Sequence, residues 1–184
     1  MLGAEPAVDF SLANRTLLFD LDRETWSDLL VEAAGLDVAK LPVCVPSGTV
    51  IGEVSRKLAA DLGLNTGRVA IVSGAHDQCA NALGCGVVHE GSAMFGMGTY
   101  FCIAPVFGAR PDFTQMLPHG LNTEHHAVRG RFVSFLYNHG GSLLKWFRDT
   151  FAQDVRKAAE LSHTNVYDLI LREVPAEPSS VLVL

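Results

Sequence analysis

The alternation of apolar and polar residues predicts short strands and helices in turn along the first half of the chain. Val69–Val72 is a short apolar run typical of a buried strand, and small residues at helical spacing follow from near Asp77. Two earlier helical patterns end at Gly35 and Gly63. The predicted elements are, in chain order, a strand Thr16–Phe19, a helix Trp26–Ala34, an extended segment Leu41–Pro46, a helix Val54–Leu62, the strand Val69–Val72 and the helix from Asp77.

The pattern changes after Gly91, where strand-like runs become more frequent. These runs are Ala93–Phe95, Tyr100–Ala104, Ala127–Val128 and Phe132–Leu136, with a hairpin turn at Arg129–Arg131. Helical spacing returns in Leu143–Phe151, Val155–Leu161 and Val166–Glu173, and Val181–Leu184 is typical of the start of a buried strand. We therefore predict a domain boundary near Val88–Gly91, between residues 1–89 and 90–184. Neither domain is expected to be complete, because the first has too few strands for its helices.

Composition indicates a protein with extensive apolar surface to bury. Of the 184 residues 48% are hydrophobic and 18% charged, against about 25% charged in a typical domain. This favours a large interface or a piece of a larger protein. The net charge is −6 without a cluster of lysines or arginines, which argues against nucleic acid or an anionic membrane as a partner.

Targeting signals and cysteine usage are those expected of a cytoplasmic protein. No apolar run reaches the roughly 18 residues of a membrane span, and the first residues do not have the pattern of a signal peptide. The four cysteines form no CxxC pair, so we interpret them as reduced thiols.

Asp77 is the first candidate for chemistry, because α/β proteins bind ligands at the carboxyl ends of strands. Gly74 and Ala75 leave room for a ligand beside it, and His76 and Gln78 flank it with polar side chains. A carboxylate in this position can accept the proton of a hydroxyl that attacks phosphorus. The alternative is that Asp77 only caps the helix, since carboxylates are favoured in the first turn.

Two glycine-rich segments are candidates for binding an anion. In Gly96–Thr99, two glycines let backbone N–H groups converge and the threonine adds a hydroxyl, although a simple β-turn has the same composition. His139–Ser142 precedes the helix Leu143–Ala152, and a double glycine there is typical of a nucleotide site or of an ordinary strand-to-helix connection.

Metal and hydrolase sites are disfavoured by residue spacing. His76, Cys79, Cys85 and His89 occur close together, but their spacing matches no common zinc pattern and a helix would scatter them over several faces. Ser73 lies near His76, but the chain has no GxSxG elbow.

Several other conspicuous residues are expected to be structural. His125 and His126 are expected to be a solvated pair at the start of a strand. Trp26 and Trp146 are expected to pack in the protein and not to bind a ligand. Lys145 is either a solvated helix residue or a phosphate ligand.

Taken in order, these segments resemble the FGGY family of carbohydrate kinases over nearly the whole chain. The matching segments are Asp9–Ala13, Leu17–Asp20, Trp26–Ser27, Leu41–Gly52, Gly74–Gln78, Gly98–Thr99 and Gly140–Trp146. The resemblance implies an α/β, ribonuclease-H-like (actin-like ATPase) fold with two incomplete domains joined near residue 90. It also implies ATP and Mg²⁺ as cofactors, a sugar or polyol as substrate and a homo-oligomeric parent enzyme.

The resemblance also implies roles for individual residues. Asp77 would be the general base on the sugar hydroxyl, and Gln78 and His76 would contact the substrate. Gly98 and Thr99 would contact the phosphates of ATP, and Gly141 and Lys145 would lie along the nucleotide. His76 beside Asp77 is reminiscent of the kinases of deoxysugars such as rhamnulose and fuculose. No protein ligand of a metal is implied.

The chain also departs from the family pattern. Family members are far longer, and the N-terminal phosphate loop and most of the sugar pocket have no counterpart here. We therefore expect a central piece of a kinase without measurable activity by itself. The alternatives are a non-catalytic module of the same fold that binds a nucleotide or partner, and a scaffolding piece whose apolar excess is interface.

Overall fold

A computed structural model describes residues 4–64, 68–177 and 180 of the chain. The strands are Ala7–Asp9 (β1), Phe19–Asp20 (β2), Thr25–Trp26 (β3), Val43–Val45 (β4), Val50–Glu53 (β5), Ala70–Val72 (β6), Ala93–Met97 (β7), Tyr100–Phe107 (β8), Glu124–His125 (β9), Phe132–Val133 (β10) and Leu136–His139 (β11). The α-helices are Phe10–Asn14 (α1), Asp28–Ala33 (α2), Arg56–Asp61 (α3), Asp77–Gly84 (α4), Phe113–Met116 (α5), Gly141–Thr150 (α6), Gln153–Ser162 (α7) and Val166–Arg172 (α8). Short 3₁₀ helices span Val38–Lys40 and Leu117–His119.

The described residues group into two compact units. Unit 1 comprises the described residues up to Gly96 together with Cys102–Tyr137, and unit 2 comprises Met97–Phe101 with the described residues from Asn138 onward. These units are defined by contacts within the structure and do not test the division into family domains at residues 1–89 and 90–184, which stays a prediction.

Within the described residues the strands form one larger sheet and three two-stranded sheets. The larger sheet has the order β11-β8-β10-β9, with β7 also paired to β8. β1 pairs in parallel with β4, whereas β2 with β3 and β5 with β6 are antiparallel. Strands 9 and 10 are antiparallel around Gly130, whose φ of +75° confirms the predicted hairpin turn.

Two apolar clusters in unit 1 fix the helices that matter for the site. One consists of Phe10, Ala13, Phe19, Trp26 and Val31, and it joins α1 to β2, β3 and α2. The other consists of Cys79, Ala82, Met94, Cys102, Ala104, Val133 and Phe135, and it packs α4 on the larger sheet. Trp26 is buried in the first cluster and donates its indole N–H to the Pro42 carbonyl at 2.7 Å, as expected of a packing residue.

Local signals placed most helices correctly. The side chains of Ser27 and Ser55 accept N–H groups at the starts of α2 and α3. The predicted stops at Gly35 and Gly63 have φ of +67° and +69°, a conformation that glycine adopts without strain. The helix predicted near Asp77 begins at that residue, and the three later helical segments correspond to α6, α7 and α8.

Several predictions about strands and burial were wrong. Thr16 and Leu17 form a turn instead of a strand, because the Thr16 hydroxyl bonds the Ala13 carbonyl at 2.7 Å and Leu17 has a φ of +63°. The strand β6 was expected to be buried, but Val72 is 49% exposed in the described structure. The strand β6 pairs with β5 in a two-stranded sheet. The strand predicted at Ala127–Val128 lies instead at Glu124–His125.

Two further predictions concern the strand Phe132–Leu136 and the chain end. The predicted strand is split into β10 and β11, and the fully buried Ser134 lies in the break. The predicted strand Val181–Leu184 lies outside the described residues. None of the helices in residues 4–64 and 68–177 has the length and apolar character needed to span a bilayer.

Candidate active-site residues

Asp77 occupies the first position of α4 and presents an accessible carboxylate. His76 is the N-cap residue but makes no side-chain capping bond, and Asp77 lies in the first turn, where a helix start favours a carboxylate, so the structural alternative for Asp77 stays open. The Asp77 Oδ1 atom accepts the Gln78 N–H at 2.7 Å and lies 3.1 Å from His76 Nε2. The Asp77 side chain is 80% exposed, and among the described residues no lysine or arginine forms an ion pair with it. It can therefore meet a substrate hydroxyl from solvent.

A buried polar network holds the start of α4 in place. The His76 N–H donates to the Ser11 hydroxyl oxygen at 2.8 Å. That hydroxyl in turn donates to the Asp9 carboxylate, which also accepts the Ser11 N–H at 2.9 Å and the Ser47 hydroxyl at 2.8 Å. Asp9 and Ser11 are buried, so these charge-assisted bonds are shielded from water. The network links the beginning of α1 to the residue before Asp77.

The His76 side chain is packed and not free to turn. Its ring makes an edge contact with Phe135, with 5.3 Å between ring centroids and an interplanar angle of 70°. The side chain is 14% exposed, and its Nδ1 is buried without a hydrogen-bond partner in the described part of the chain. Nε2 is consequently the ring nitrogen that meets Asp77.

Gln78 and Cys79 follow Asp77 on α4 with different environments. Gln78 is half-buried, and its Oε1 would lie 3.6 Å from a Cβ placed on Gly96 at the end of β7. Cys79 is fully buried in the core, and burial raises the pKa of its thiol to about 12. The thiol is therefore protonated near neutrality and serves packing, while Gln78 is the neighbour of Asp77 with an amide available for a ligand.

An ion pair that the sequence did not indicate lies elsewhere in unit 1. Arg15 Nη1 is 2.5 Å from Glu124 Oε1, which also accepts a hydrogen bond from Asn122. The guanidinium lies 5.7 Å from the centre of the Phe135 ring, whose edge contacts His76. Burial raises the pKa of Tyr137, which lies in β11 two residues after Phe135, to about 12. Arg15 and Glu124 are 109 residues apart, so no local pattern could have paired them.

In unit 2 the two glycine-rich segments meet. The Gly98 carbonyl accepts the Gly141 N–H at 2.9 Å, and the Thr99 carbonyl accepts the N–H groups of Gly140 at 3.2 Å and Ser142 at 3.1 Å. A Cβ on Gly140 would overlap the Phe101 ring, and a Cβ on Gly141 would lie 3.1 Å from the Gly98 oxygen. A side chain at Gly140 would require the Phe101 ring to move, and one at Gly141 would require a shift of a few tenths of an ångström at the Gly98 carbonyl.

This contact changes the predicted role of the helix start. The N–H groups of Gly141 and Ser142 bind the Gly98–Thr99 turn and are not free to bind an anion. Thr99 and Lys145 are exposed in this region, so the Thr99 hydroxyl and the Lys145 ammonium can still meet a phosphate.

A pocket of about 610 Å³ opens beside this turn. It is lined by Thr99, Gly141, Ser142, Lys145, Trp146, Asp149 and Tyr167, all in unit 2. Its volume lies within the range of small-molecule sites. Trp146 is 50% exposed at this pocket, and its ring also packs nearly perpendicular to that of Phe151, with 5.3 Å between the ring centroids.

The carboxylate of the pocket is already paired. Asp149 Oδ1 lies 2.6 Å from Arg148 Nη2, and Arg148 Nη1 donates to the Tyr167 hydroxyl at 2.8 Å. No group of three or more His, Cys, Asp or Glu side chains that could hold a metal occurs in the described residues. The pocket therefore presents Thr99 and Lys145, a hydroxyl and an ammonium that suit an anionic ligand, and the described residues hold no cluster of side chains for Mg²⁺.

Comparison with known proteins finds similarity to carbohydrate kinases of the FGGY family and to a related kinase. Residues 1–84 match the FGGY family of carbohydrate kinases, N-terminal domain. The chain is 31% identical over 175 residues to an autoinducer-2 kinase of Yersinia pestis (strain Pestoides F), a match that covers 92% of this chain and 32% of that protein. The chain thus spans about a third of the length of the curated relatives it matches.

Solved structures show the same relationship. The xylulose kinase from Rhodospirillum rubrum superposes with a TM-score of 0.73 and 27% identity, over 94% of this chain and 33% of that one. Plasmodium falciparum glycerol kinase with ADP superposes with a TM-score of 0.64 and 19% identity, over 84% of this chain and 32% of that one. The predicted ribonuclease-H-like, actin-like α/β fold is thereby confirmed.

Proposed function

Because the chain belongs to the FGGY family of carbohydrate kinases, we propose that it supplies the general base and part of the nucleotide site for ATP-dependent transfer of a phosphoryl group to a hydroxyl of a sugar or polyol. The accessible Asp77 carboxylate, set at the start of α4 by a buried network, is the observation that most supports this function. The alternative of a non-catalytic module gives no use for such a carboxylate.

In the proposed reaction Asp77 accepts the proton of the acceptor hydroxyl while that oxygen attacks the γ-phosphorus of ATP, the bond from this phosphorus to the β,γ-bridging oxygen breaks, and ADP leaves. The Asp77 side chain is free of lysine and arginine partners in the described residues, so it retains an oxygen for this proton. Gln78, half-buried on the same helix turn, offers an amide to a second hydroxyl of the substrate.

We assign the pocket of unit 2 to the nucleotide. ATP would supply the transferred phosphoryl group, held by the Thr99 hydroxyl and the Lys145 ammonium beside Gly98 and Gly141. The close glycine contacts keep this turn against α6, so the Thr99 side chain has a fixed origin. Mg²⁺ is expected with ATP, but no step is assigned to it because the described residues offer no carboxylate cluster.

The relatives suggest which acceptors to test first. They include autoinducer-2 kinases and xylulose kinases, so autoinducer-2 and xylulose are the first candidates. Rhamnulose and fuculose follow, because His76 precedes the proposed base. A homo-oligomeric parent enzyme belongs to the same proposal.

The experiment is a substitution of Asp77 in an active background. In a chimera, the matching 175 residues of the Yersinia pestis autoinducer-2 kinase would be replaced by those of this chain. Asp77→Asn should lower kcat by about 10²–10⁴-fold, the usual contribution of a general base, in a coupled assay of ADP release. Glu32→Gln, an exposed carboxylate on α2, is the matched control and should leave kcat unchanged.

Undiminished turnover of Asp77→Asn in an active chimera would contradict the proposed role and favour the non-catalytic module. The same exchange in the Rhodospirillum rubrum xylulose kinase provides an independent background, with xylulose as the acceptor.

A further inference from the structure

We propose that His76 is a positioning residue, whose Nε2–H donates to the Asp77 carboxylate and holds it in the orientation that accepts the proton of the acceptor hydroxyl. This inference rests on the proposed function of Asp77 as the base. It gives His76 a role different from the direct substrate contact that its place in the motif implies.

The geometry determines which ring nitrogen bears the proton. His76 Nε2 and Asp77 Oδ1 are 3.1 Å apart, and an ionised carboxylate can only accept a hydrogen bond. With the proton on Nδ1 instead, a buried N–H would be without an acceptor and the lone pair of Nε2 would face the carboxylate. The Nε2–H tautomer avoids both costs.

The donor is held rigidly, as a positioning group must be. The ring is fixed by its edge contact with Phe135, and the main-chain N–H of His76 is bound to Ser11 in the buried network of Asp9. The side chain is 14% exposed. Little rotamer freedom remains to be lost when substrate binds, so the orientation of Asp77 is set in advance.

The same geometry leaves the ring without a polar atom for the substrate. Nε2 is used by Asp77, and Nδ1 is buried without access to solvent. Gln78 retains an amide for the substrate, whereas His76 acts through Asp77. A role through Asp77 predicts an effect on kcat, and a direct contact predicts an effect on KM.

Two substitutions of His76 separate these roles in the autoinducer-2 kinase chimera. Glutamine can place its amide nitrogen near the position of Nε2, whereas the shorter asparagine ends near Nδ1 and cannot reach Asp77. His76→Asn should lower kcat by up to about 10²-fold with KM nearly unchanged, as expected when a reacting group is displaced by about an ångström. His76→Gln should recover most of that loss.

The outcomes distinguish this inference from the proposed function. If Asp77→Asn leaves turnover unchanged, the proposed function fails. If Asp77→Asn abolishes turnover while His76→Asn does not lower kcat, or raises KM alone, only the role of His76 fails. In the double variant that carries Asp77→Asn and His76→Asn, kcat should be no lower than in Asp77→Asn alone, because the two residues act as a unit.

A measurement without turnover tests the hydrogen bond itself in the unaltered 184-residue chain. At a pH at which the ring is neutral, the ring ¹⁵N chemical shifts of His76 should show the proton on Nε2, and Asp77→Ala should change them more than Asp77→Asn, which keeps an acceptor oxygen. An Nδ1–H tautomer, or shifts averaged between the two tautomers, would overturn the inference.

Discussion

At the scale of single residues, His125 and His126 show how far burial can depart from local pattern. The sequence suggests a solvated pair, but the two residues are 5% and 3% exposed. The His125 N–H donates to the Asn14 side chain at 2.8 Å, and its Nε2 lies 3.2 Å from the Leu21 carbonyl. His126 Nδ1 accepts the Val128 N–H at 2.9 Å. Burial lowers the pKa of both imidazoles below the ordinary value of 6.5.

These lowered pKa values predict that acid destabilises the fold. Below pH 6.5 His125 and His126 are protonated in the unfolded chain but stay largely neutral in the folded one, because their pKa values are lowered there. The free energy of unfolding therefore falls as the pH falls through this range. The slope is at most about 1.4 kcal/mol per pH unit for each histidine. Urea unfolding at about pH 7.5 and about pH 5.5 measures it.

His126→Asn is the variant that isolates one of these groups. The asparagine Oδ1 can accept the Val128 N–H in place of Nδ1, but it does not titrate. The variant should therefore lose less stability than the unaltered chain on acidification. An equal or steeper loss would show that the acid sensitivity does not arise from His126.

At the scale of elements, the contact between the Gly98–Thr99 turn and the start of α6 organises unit 2. Three backbone N–H groups, from Gly140 to Ser142, bind the two carbonyls of the turn. The sequence indicated both segments as candidate anion sites or ordinary turns, but did not indicate that they bind one another. Residues about 40 positions apart are joined here because glycine lets the two backbones approach closely.

Gly140→Ala should disrupt this contact. The added Cβ would overlap the Phe101 ring, and relieving such an overlap costs about 1–3 kcal/mol. We expect a lower midpoint of urea unfolding and faster hydrogen exchange of the Gly141 and Ser142 amides. Gly84→Ala is the control, because that position has open space and lies in α4, where alanine should be neutral or stabilising.

If Gly140→Ala retained both the stability of the unaltered chain and the protection of these two amides, the turn would not depend on the close glycine approach.

At the scale of the whole molecule, the chain spans 32% of the autoinducer-2 kinase that it matches. Phosphoryl transfer depends on positioning and charge stabilisation by several groups together. The described residues offer an exposed carboxylate, a hydroxyl and an ammonium, but no carboxylate cluster for a metal.

We therefore expect the isolated 184-residue chain to show no turnover with ATP, Mg²⁺ and either autoinducer-2 or xylulose. A coupled assay of ADP release measures this, with the active chimera as the positive control. Turnover that saturates with the acceptor, in the isolated chain, would contradict the expectation.

The sequence by itself determined the features that depend on neighbouring residues. The helix stops at Gly35 and Gly63 were predictable, because a left-handed glycine acts within one turn of the chain. The order of the short motifs was enough to identify the family, since each motif is local.

Only the tertiary structure decided which distant residues meet. It buried His125 and His126, paired Arg15 with Glu124 across 109 residues and set the His76 ring against Phe135. Such contacts are decided by packing between elements that are remote along the chain, and the periodicity of one segment does not report what will cover it. For the same reason the sequence could propose Asp77 as a base, but only the fold could show that His76 Nε2 lies 3.1 Å from its carboxylate.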